Sequence, residues 1–192
     1  MSTADTPLPQ SHFLVAGTGE FTVTGSPVVL RWGGGLIVPT TPILVQALII
    51  RESKVDDGFI IRALEPAWAQ IAALVARETD SLFRLSPEQL EEIVAASYDK
   101  AGYDEVILTP RSGDLGRDVI ATRKGWGSVR IVDQVKCYKP GHLVDANDVR
   151  ALLGVLHSDQ SASKGIVTTS SSFAPRIESD PLIAPQSLTV LS

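Results

Sequence analysis

Three polar residues, Asp118, Gln134 and Lys136, have types and spacing that bring a carboxylate, an amide oxygen and an ammonium towards one spot. Side chains alternate along a strand, so Gln134 and Lys136 share one face of the strand predicted at 129–138. Asp118 directly precedes the strand predicted at 119–122. Antiparallel pairing of these two strands would bring Asp118 close to Gln134.

This set of groups suits a hard divalent cation and the phosphate that the cation polarises. Mg²⁺ takes oxygen ligands, typically one or two carboxylates plus water and substrate phosphate oxygens. An amide oxygen can replace one carboxylate, and a neighbouring lysine can orient water or offset charge on a phosphorus centre. The combination suits metal-assisted phosphodiester hydrolysis. The same spacing also arises from an ordinary strand-entry aspartate and a solvated lysine.

Glu91 is a fourth candidate, on a helix predicted to precede these strands. With Leu90 at the centre of the apolar stripe and about 100° per residue, Glu91 lies at the edge of that stripe. Glu92 lies about 200° away and is expected to face water. Of the two glutamates, only Glu91 is placed to lean into a site. The alternative is an exposed carboxylate that the helix dipole stabilises.

The elements that must position these residues follow one another in the order αβββαβ. Ser86, Pro87 and Gln89 predict a capped helix start, and the helix should end near Lys100 with Gly102 as its C′ residue. Strands are predicted at 106–109, 119–122 and 129–138, then a helix at 146–157 and a strand at 165–169. A fifth strand is predicted at 188–191. This order indicates an α/β domain with a mixed sheet.

The chain before residue 81 has a different character. Residues 1–12 are rich in Ser, Thr and Pro and are expected to form a flexible terminus. Residues 13–80 form a β-rich module with a connecting helix at 66–79. Its short strands are predicted at 13–16, 21–24, 28–32, 36–38, 43–50 and 59–64. Residues 81–192 then form the α/β domain.

The composition bounds the class of protein. The chain has 192 residues, of which 44% are hydrophobic, enough for a sizeable core. The longest apolar runs are far shorter than the ~20 residues of a membrane helix, and no secretory signal opens the chain. The single cysteine, Cys137, cannot form an internal disulfide. We therefore expect a cytoplasmic protein with no membrane partner.

The charge of the chain is unevenly distributed. The net charge is −5, from 17 basic and 22 acidic residues, which by itself disfavours a nucleic-acid partner. Residues 111–142, however, hold seven Lys and Arg against three Asp. A patch of one sign indicates a polyanion partner better than the whole-chain sum does, with an ordinary solvated face as the alternative.

Several motifs together resemble one known family. They are Leu85-Ser-Pro-Glu-Gln-Leu-Glu-Glu-Ile-Val, Gly102-Tyr, Ser112-Gly-Asp-Leu-Gly-Arg-Asp118-Val-Ile-Ala, Gln134-Val-Lys-Cys-Tyr-Lys139 and Lys164-Gly-Ile-Val-Thr-Thr-Ser. In this order and at this spacing, over about residues 81–192, they resemble the Mrr-type restriction endonuclease catalytic domain of the PD-(D/E)XK nuclease superfamily. The resemblance implies a restriction-endonuclease-like core and Mg²⁺-dependent cleavage of DNA, with Mn²⁺ able to substitute.

The resemblance also implies roles for the four candidate residues. Asp118 would be the principal metal ligand and Gln134 the second, since this family commonly has Gln in place of the second acid. Lys136 would be the catalytic lysine, and Glu91 the helix acid that completes the metal site. Four basic residues of the 111–142 segment are DNA-binding candidates, namely Arg117, Arg123, Lys124 and Lys139.

The family's segment after the last core strand is usually helical, but Pro175, Pro181 and Pro185 exclude a long helix there. The function implied is a type IV-like restriction endonuclease that acts in restriction or in defence against foreign DNA. One active site cuts one strand, so double-strand cleavage would suggest a homodimer. Two alternatives stay open: a catalytically silent nuclease-fold module that binds DNA or a protein partner, and a purely structural assembly protein.

Overall fold

The computed structural model describes residues 11–14, 20–24, 29–32, 35–37, 45–46, 48–110, 116–125 and 127–183. The strand predicted at 188–191 lies outside these residues. Within them the chain forms two sheets, one of four strands and one of six. The four-stranded sheet is an antiparallel meander of β1 (Ser11–Leu14), β2 (Glu20–Thr24), β3 (Val29–Trp32) and β4 (Gly35–Ile37).

The six-stranded sheet carries the candidate site. Its strands are β5 (Ile49–Val55), β6 (Gly58–Ala63), β7 (Glu105–Leu108), β8 (Val119–Arg123), β9 (Val129–Lys136) and β10 (Lys164–Thr169). The spatial order is β10-β9-β8-β7-β6-β5. The β10–β9 pair is parallel and all other pairs are antiparallel, so the predicted mixed sheet is confirmed.

Among the described residues, three long helices accompany this sheet, α1 (Glu65–Arg77), α2 (Pro87–Lys100) and α3 (Ala146–Ser158), and a 3₁₀ helix at Thr79–Arg84 joins α1 to α2. The predicted capping box of α2 is confirmed. The Ser86 hydroxyl oxygen accepts from the Gln89 backbone N–H at 3.3 Å, and the Gln89 side-chain oxygen accepts from the Ser86 N–H at 2.9 Å. Gly102 follows the helix with φ +81°, as a C′ glycine should. Among the described residues, no helix combines the length and apolar character that crossing a membrane requires.

The helices cover the two faces of the sheet. Buried side chains of α2, including Leu90 and Val94, join a core with Ile131 and Val135 of β9. The other face of β9 is turned towards α3, whose buried Leu152 and Val149 contribute to packing there. Because neighbouring residues of a strand point to opposite faces, odd-numbered residues of β9 meet α2 and even-numbered residues meet α3. This parity decides which helix each site residue faces.

Two features differ from the expected pattern. The strand predicted at 43–50 is wrong, because residues 45–46 are helical and the strand begins only at Ile49. Val45 and Leu48 are fully buried in the core of the larger sheet, so their apolar character reflects tertiary packing and not strand periodicity. After β10, the described chain forms only a short 3₁₀ turn at Ile177–Ser179, in agreement with the prolines.

The second difference is the size of the sheet. The predicted αβββαβ core corresponds to α2, β7, β8, β9, α3 and β10, but β5 and β6 extend its sheet to six strands. β6 pairs with β7 through Phe59↔Leu108 and Ile60↔Ile107. The division of the chain at residue 81 stays a prediction, and the sheet is continuous across it.

Candidate active site

Asp118 is held at the start of β8 between two neighbouring strands. Its backbone N–H donates to the Asp133 carbonyl oxygen at 3.0 Å, and its own carbonyl accepts from the Thr109 N–H at 3.1 Å. The carboxylate Oδ2 accepts from the Val135 backbone N–H at 2.6 Å. These bonds fix the backbone of Asp118 between β7 and β9 and hold its side chain against β9.

Gln134 lies between Asp133 and Val135, the two residues of β9 whose backbone groups bond to Asp118. The β8–β9 register ends one residue before, at the pair Val119↔Asp133. The Gln134 side chain is only 7% exposed, and among the described residues its buried Oε1 has no hydrogen-bond partner. A buried amide oxygen without a donor costs about 1–3 kcal/mol. A bound cation would satisfy it.

Gly116 makes room for this amide. It has φ +79°, and a Cβ placed on it would lie 3.2 Å from Gln134 Nε2 and 3.5 Å from the Val155 side chain of α3. Gly116 therefore lets the chain just before Asp118 pass close over Gln134. Gln134 consequently lies on the α3 face of β9, as its even number requires.

Lys136 follows Gln134 on the same face of β9. Its Nζ lies 3.3 Å from Asp148 Oδ1, and both side chains are mostly buried. Asp148 also accepts from the Tyr138 hydroxyl at 2.9 Å and, through Oδ2, from the Asp145 backbone N–H. Burial raises the pKa of Asp148, but these hydrogen bonds and the Lys136 charge together lower it below its usual value. Asp148 is therefore an anion at neutral pH, and it holds the Lys136 ammonium in place.

Asp148 did not emerge as a functional candidate from the sequence, although a signal for it exists. Asp145 and Asp148 form the capping box that begins α3. The local sequence predicts the capping box. It does not show that Asp148 lies beside Lys136, because that contact depends on how α3 packs against β9.

Glu91 is buried on α2, with 8% of its surface exposed. Burial is the main cause that raises the pKa of the Cys137 thiol; a hydrogen bond with Ser170 lowers this pKa, and the charges of Glu91 and Glu88 raise it. Glu92 differs from expectation: it does not face water but pairs with Arg51 of β5 at 3.5 Å. The reason is that the β5–β6 hairpin extends the sheet alongside α2.

Asp133 is a buried acid that sequence reasoning passed over. It is 1% exposed, on the α2 face, and its Oδ2 accepts from the hydroxyls of Tyr98 and Thr168, both at 2.8 Å. Burial raises the pKa of Asp133 to about 7 in spite of these hydrogen bonds. Its alternation with Gln134 places it on the opposite side of the strand from the candidate metal ligands.

The four DNA-binding candidates differ in their surroundings. Arg117 pairs with Asp57 and Asp159, each at 3.4 Å. Arg123 donates to the Ala101 carbonyl oxygen at 2.7 Å and lies 4.8 Å from the centre of the Tyr103 ring. Two further lysines complete the set: Lys124, exposed and 3.8 Å from Glu105, and Lys139, exposed with no ion pair among the described residues.

The arrangement offers a small set of oxygen donors. Within the described ranges, no three His, Cys, Asp or Glu side chains cluster as metal ligands do. The described residues offer two oxygen donors at neighbouring positions, the Asp118 carboxylate and the buried Gln134 Oε1, of the kind that a hard cation takes. The chemistry of this pair and the unpartnered oxygen fit Mg²⁺ or Mn²⁺.

Comparisons with known proteins identify the family of the chain. The family model of a restriction endonuclease, the Mrr catalytic domain, matches residues 82–178. The uncharacterized protein y4cE of Sinorhizobium fredii (strain NBRC 101917 / NGR234) is 38% identical over 74 residues, which are 38% of this chain and 19% of that protein. The match thus spans about a fifth of that relative's length. No solved structure matches this chain.

Proposed function

The chain belongs to the Mrr family of restriction endonuclease catalytic domains, and on that premise we propose that it is a divalent-metal-dependent DNA endonuclease. The observation that carries the proposal is that Asp118 bonds to the backbone of β9 on either side of Gln134, whose buried Oε1 has no hydrogen-bond partner among the described residues. Restriction or defence against foreign DNA is the proposed role, of the type IV kind. Such a role would be exercised in the cytoplasm, where incoming DNA is met.

In this proposal Asp118 and Gln134 hold one Mg²⁺ or Mn²⁺ ion, and Glu91, which α2 carries on the other face of β9, is not one of its direct ligands. When bound, the ion would supply Lewis acidity to a phosphate oxygen and to a water. Asp118 contributes a fixed carboxylate, because the Val135 N–H restrains its Oδ2. Gln134 contributes a buried oxygen that no described residue satisfies. Glu91 contributes a second negative charge from α2.

Lys136 supplies positive charge at the scissile phosphate. It lies two residues beyond Gln134 on the same face of β9, and Asp148 orients its ammonium. A preorganised cation stabilises charge that develops on the phosphate without reorganisation cost. Outside the site, Arg123, Lys124 and Lys139 are proposed to contact the DNA backbone. Such contacts would position the duplex without reading its sequence.

Each chain would cut one strand, because the part of the chain that the structure describes offers one such site. Double-strand cleavage then requires two copies, as a homodimer or by two successive encounters. Nicked circular DNA is therefore the expected first product, with linear DNA appearing later or at higher protein concentration.

A plasmid cleavage assay tests the proposal. Wild-type protein with Mg²⁺ or Mn²⁺ is expected to nick supercoiled DNA, and EDTA should stop the reaction. Asp118→Asn and Lys136→Ala should each remove activity while the fold is retained by circular dichroism. Asp80→Asn and Lys54→Ala change exposed residues of the same types and serve as matched controls. Wild-type protein inert on supercoiled, linear and methylated DNA in both metals would refute the proposal.

A second candidate is a nuclease-fold module that binds DNA or a protein without cutting. The observation that favours it is the ion pair between Lys136 and Asp148, which gives the ammonium an internal partner. Retained DNA binding with no cleavage in either metal, and no loss of binding in Asp118→Asn, would select this candidate over the enzyme.

A further inference from the structure

Four charged side chains form an ion cluster beside Asp118. Arg130 lies 2.9 Å from Asp57 and 3.9 Å from Asp159, and Arg117 lies 3.4 Å from each of the same two carboxylates. The four come from the β5–β6 turn, the residue before Asp118, β9 and the end of α3. Two positive and two negative charges balance within the cluster, and all four side chains are mostly buried. The cluster therefore ties separate parts of the chain together and adds no net positive charge.

One member of the cluster, Asp57, lies in the turn of the β5–β6 hairpin. It is outside residues 82–178, the segment that matches the family. The next residue makes a second contact with the sheet. Gly58 has φ +150°, and a Cβ on it would overlap the Leu108 carbonyl oxygen and lie 2.9 Å from Thr109 Cα. The Asp57–Gly58 turn therefore packs directly against the end of β7.

Thr109 connects this packing to the candidate metal ligand. Its N–H donates to the Asp118 carbonyl oxygen at 3.1 Å. Its hydroxyl donates to the carbonyl oxygens of Arg117 and Asp118. The turn thus reaches Asp118 by two independent routes. One runs through the backbone at Thr109, and the other through the Arg117 side chain.

We propose that the Asp57–Gly58 turn is a positioning element for Asp118, and that Asp57 and Arg117 act as positioning residues and not as DNA-contacting ones. The proposal rests on the proposed function for its catalytic consequence, but its geometric content is independent of cleavage. Arg117 is held by two carboxylates in a mostly buried setting, where ion pairs are weakly screened. The hairpin is accordingly part of the nuclease site.

The position of the Asp118 carboxylate can be followed with one backbone amide signal. The Val135 N–H donates to Asp118 Oδ2, so its ¹H–¹⁵N resonance reports where that carboxylate lies. Asp57→Asn should shift the Val135 resonance in the same direction as Asp118→Asn does, in metal-free protein. Asp56→Asn, an exposed neighbour with no described ion pair, is the matched control and should leave the resonance in place. An unmoved Val135 resonance in folded Asp57→Asn would overturn the proposal.

The charge of Asp57 is tested by a conservative variant. Asp57→Glu keeps a carboxylate for the two arginines and should return the Val135 resonance most of the way to its wild-type position. It also keeps the test valid should Asp57→Asn fail to fold. A Glu variant that folds, and shifts Val135 as far as Asp118→Asn does, would contradict a positioning role for the ion pair.

DNA measurements separate positioning from phosphate contact. Arg117→Gln should lower single-turnover cleavage at saturating DNA by about 10- to 100-fold, as misplacement of a reacting group does. DNA binding without metal should keep its salt dependence. A phosphate contact by Arg117 would instead reduce the slope of log K against log salt by about 0.9, and that result would overturn the assignment. If wild-type protein does not cut at all, the proposed function fails, while the Val135 measurement still decides the geometry.

Discussion

Replacing Asp133 by Asn tests the electrostatics of the buried face of β9 that packs against α2. Asp133 is 1% exposed, and its hydrogen bonds come from two neutral hydroxyls, those of Tyr98 and Thr168. Its Oδ1 has no partner among the described residues. Burial therefore raises the pKa of Asp133 from 3.8 to about 7. Between about pH 4 and pH 7 the folded protein therefore holds a proton at Asp133 that the unfolded chain has released.

The sign and size of the effect on stability follow. Between about pH 4 and pH 7 the native state binds more protons at this residue than the unfolded state, so the free energy of unfolding falls as pH rises. A shift of about three pKa units corresponds to about 4 kcal/mol in all, of which about 2–3 kcal/mol falls between about pH 5 and pH 8. Above about pH 8 the contribution of Asp133 no longer changes.

Urea unfolding in EDTA at several pH values measures this. Asp133→Asn cannot ionise, so its free energy of unfolding should fall by about 2–3 kcal/mol less than that of wild type between about pH 5 and pH 8. We compare how the free energy of unfolding changes with pH, and not its absolute value, because the buried Asn amide has donors without partners and lowers stability at every pH. Asp80→Asn, at an exposed position, should keep the wild-type dependence. Parallel curves for Asp133→Asn and wild type would refute the reasoning.

Two more variants probe the frame of the site. Gly58→Ala should destabilise the fold by several kcal/mol, or abolish folding, because its Cβ would overlap the Leu108 carbonyl oxygen; Gly154→Ala meets no atom within 4 Å and should be tolerated in thermal unfolding. Equal melting temperatures for the two would contradict the close packing. Asp148→Asn should cost about 1–3 kcal/mol in urea unfolding, and its double variant with Lys136→Ala should lose less than the sum of the single variants. Strict additivity would mean that the pair does not interact.

Features set by neighbouring residues could be predicted from the sequence. The capping box of α2 depends on Ser86 and Gln89, three residues apart, and both the box and the helix end near Gly102 are confirmed. The positions of β8 and β9 follow from apolar runs joined by a short turn. The same two strands bring Asp118 against the β9 backbone at Asp133 and Val135, on either side of Gln134.

Features set by distant residues could not be predicted. No local sequence pattern indicates that β5 and β6 join the larger sheet. They join it through the pairing of β6 with β7, whose residues lie far apart in the sequence. Glu92 was expected in water because the helical wheel contains no information on what lies beside α2. Asp148 could not be identified from the sequence for the same reason, because its contact with Lys136 depends on the packing of α3 against β9.

Metal location is the most direct test of the central claim that Asp118 and Gln134 share one divalent cation. A crystal of the protein soaked in Mn²⁺ should show an anomalous density peak within about 2.0–2.4 Å of the Asp118 carboxylate and of Gln134 Oε1. The peak should be absent from crystals of Asp118→Asn treated in the same way. A wild-type crystal with saturating Mn²⁺ and no peak between these two side chains, or a peak bound only elsewhere, would contradict the claim.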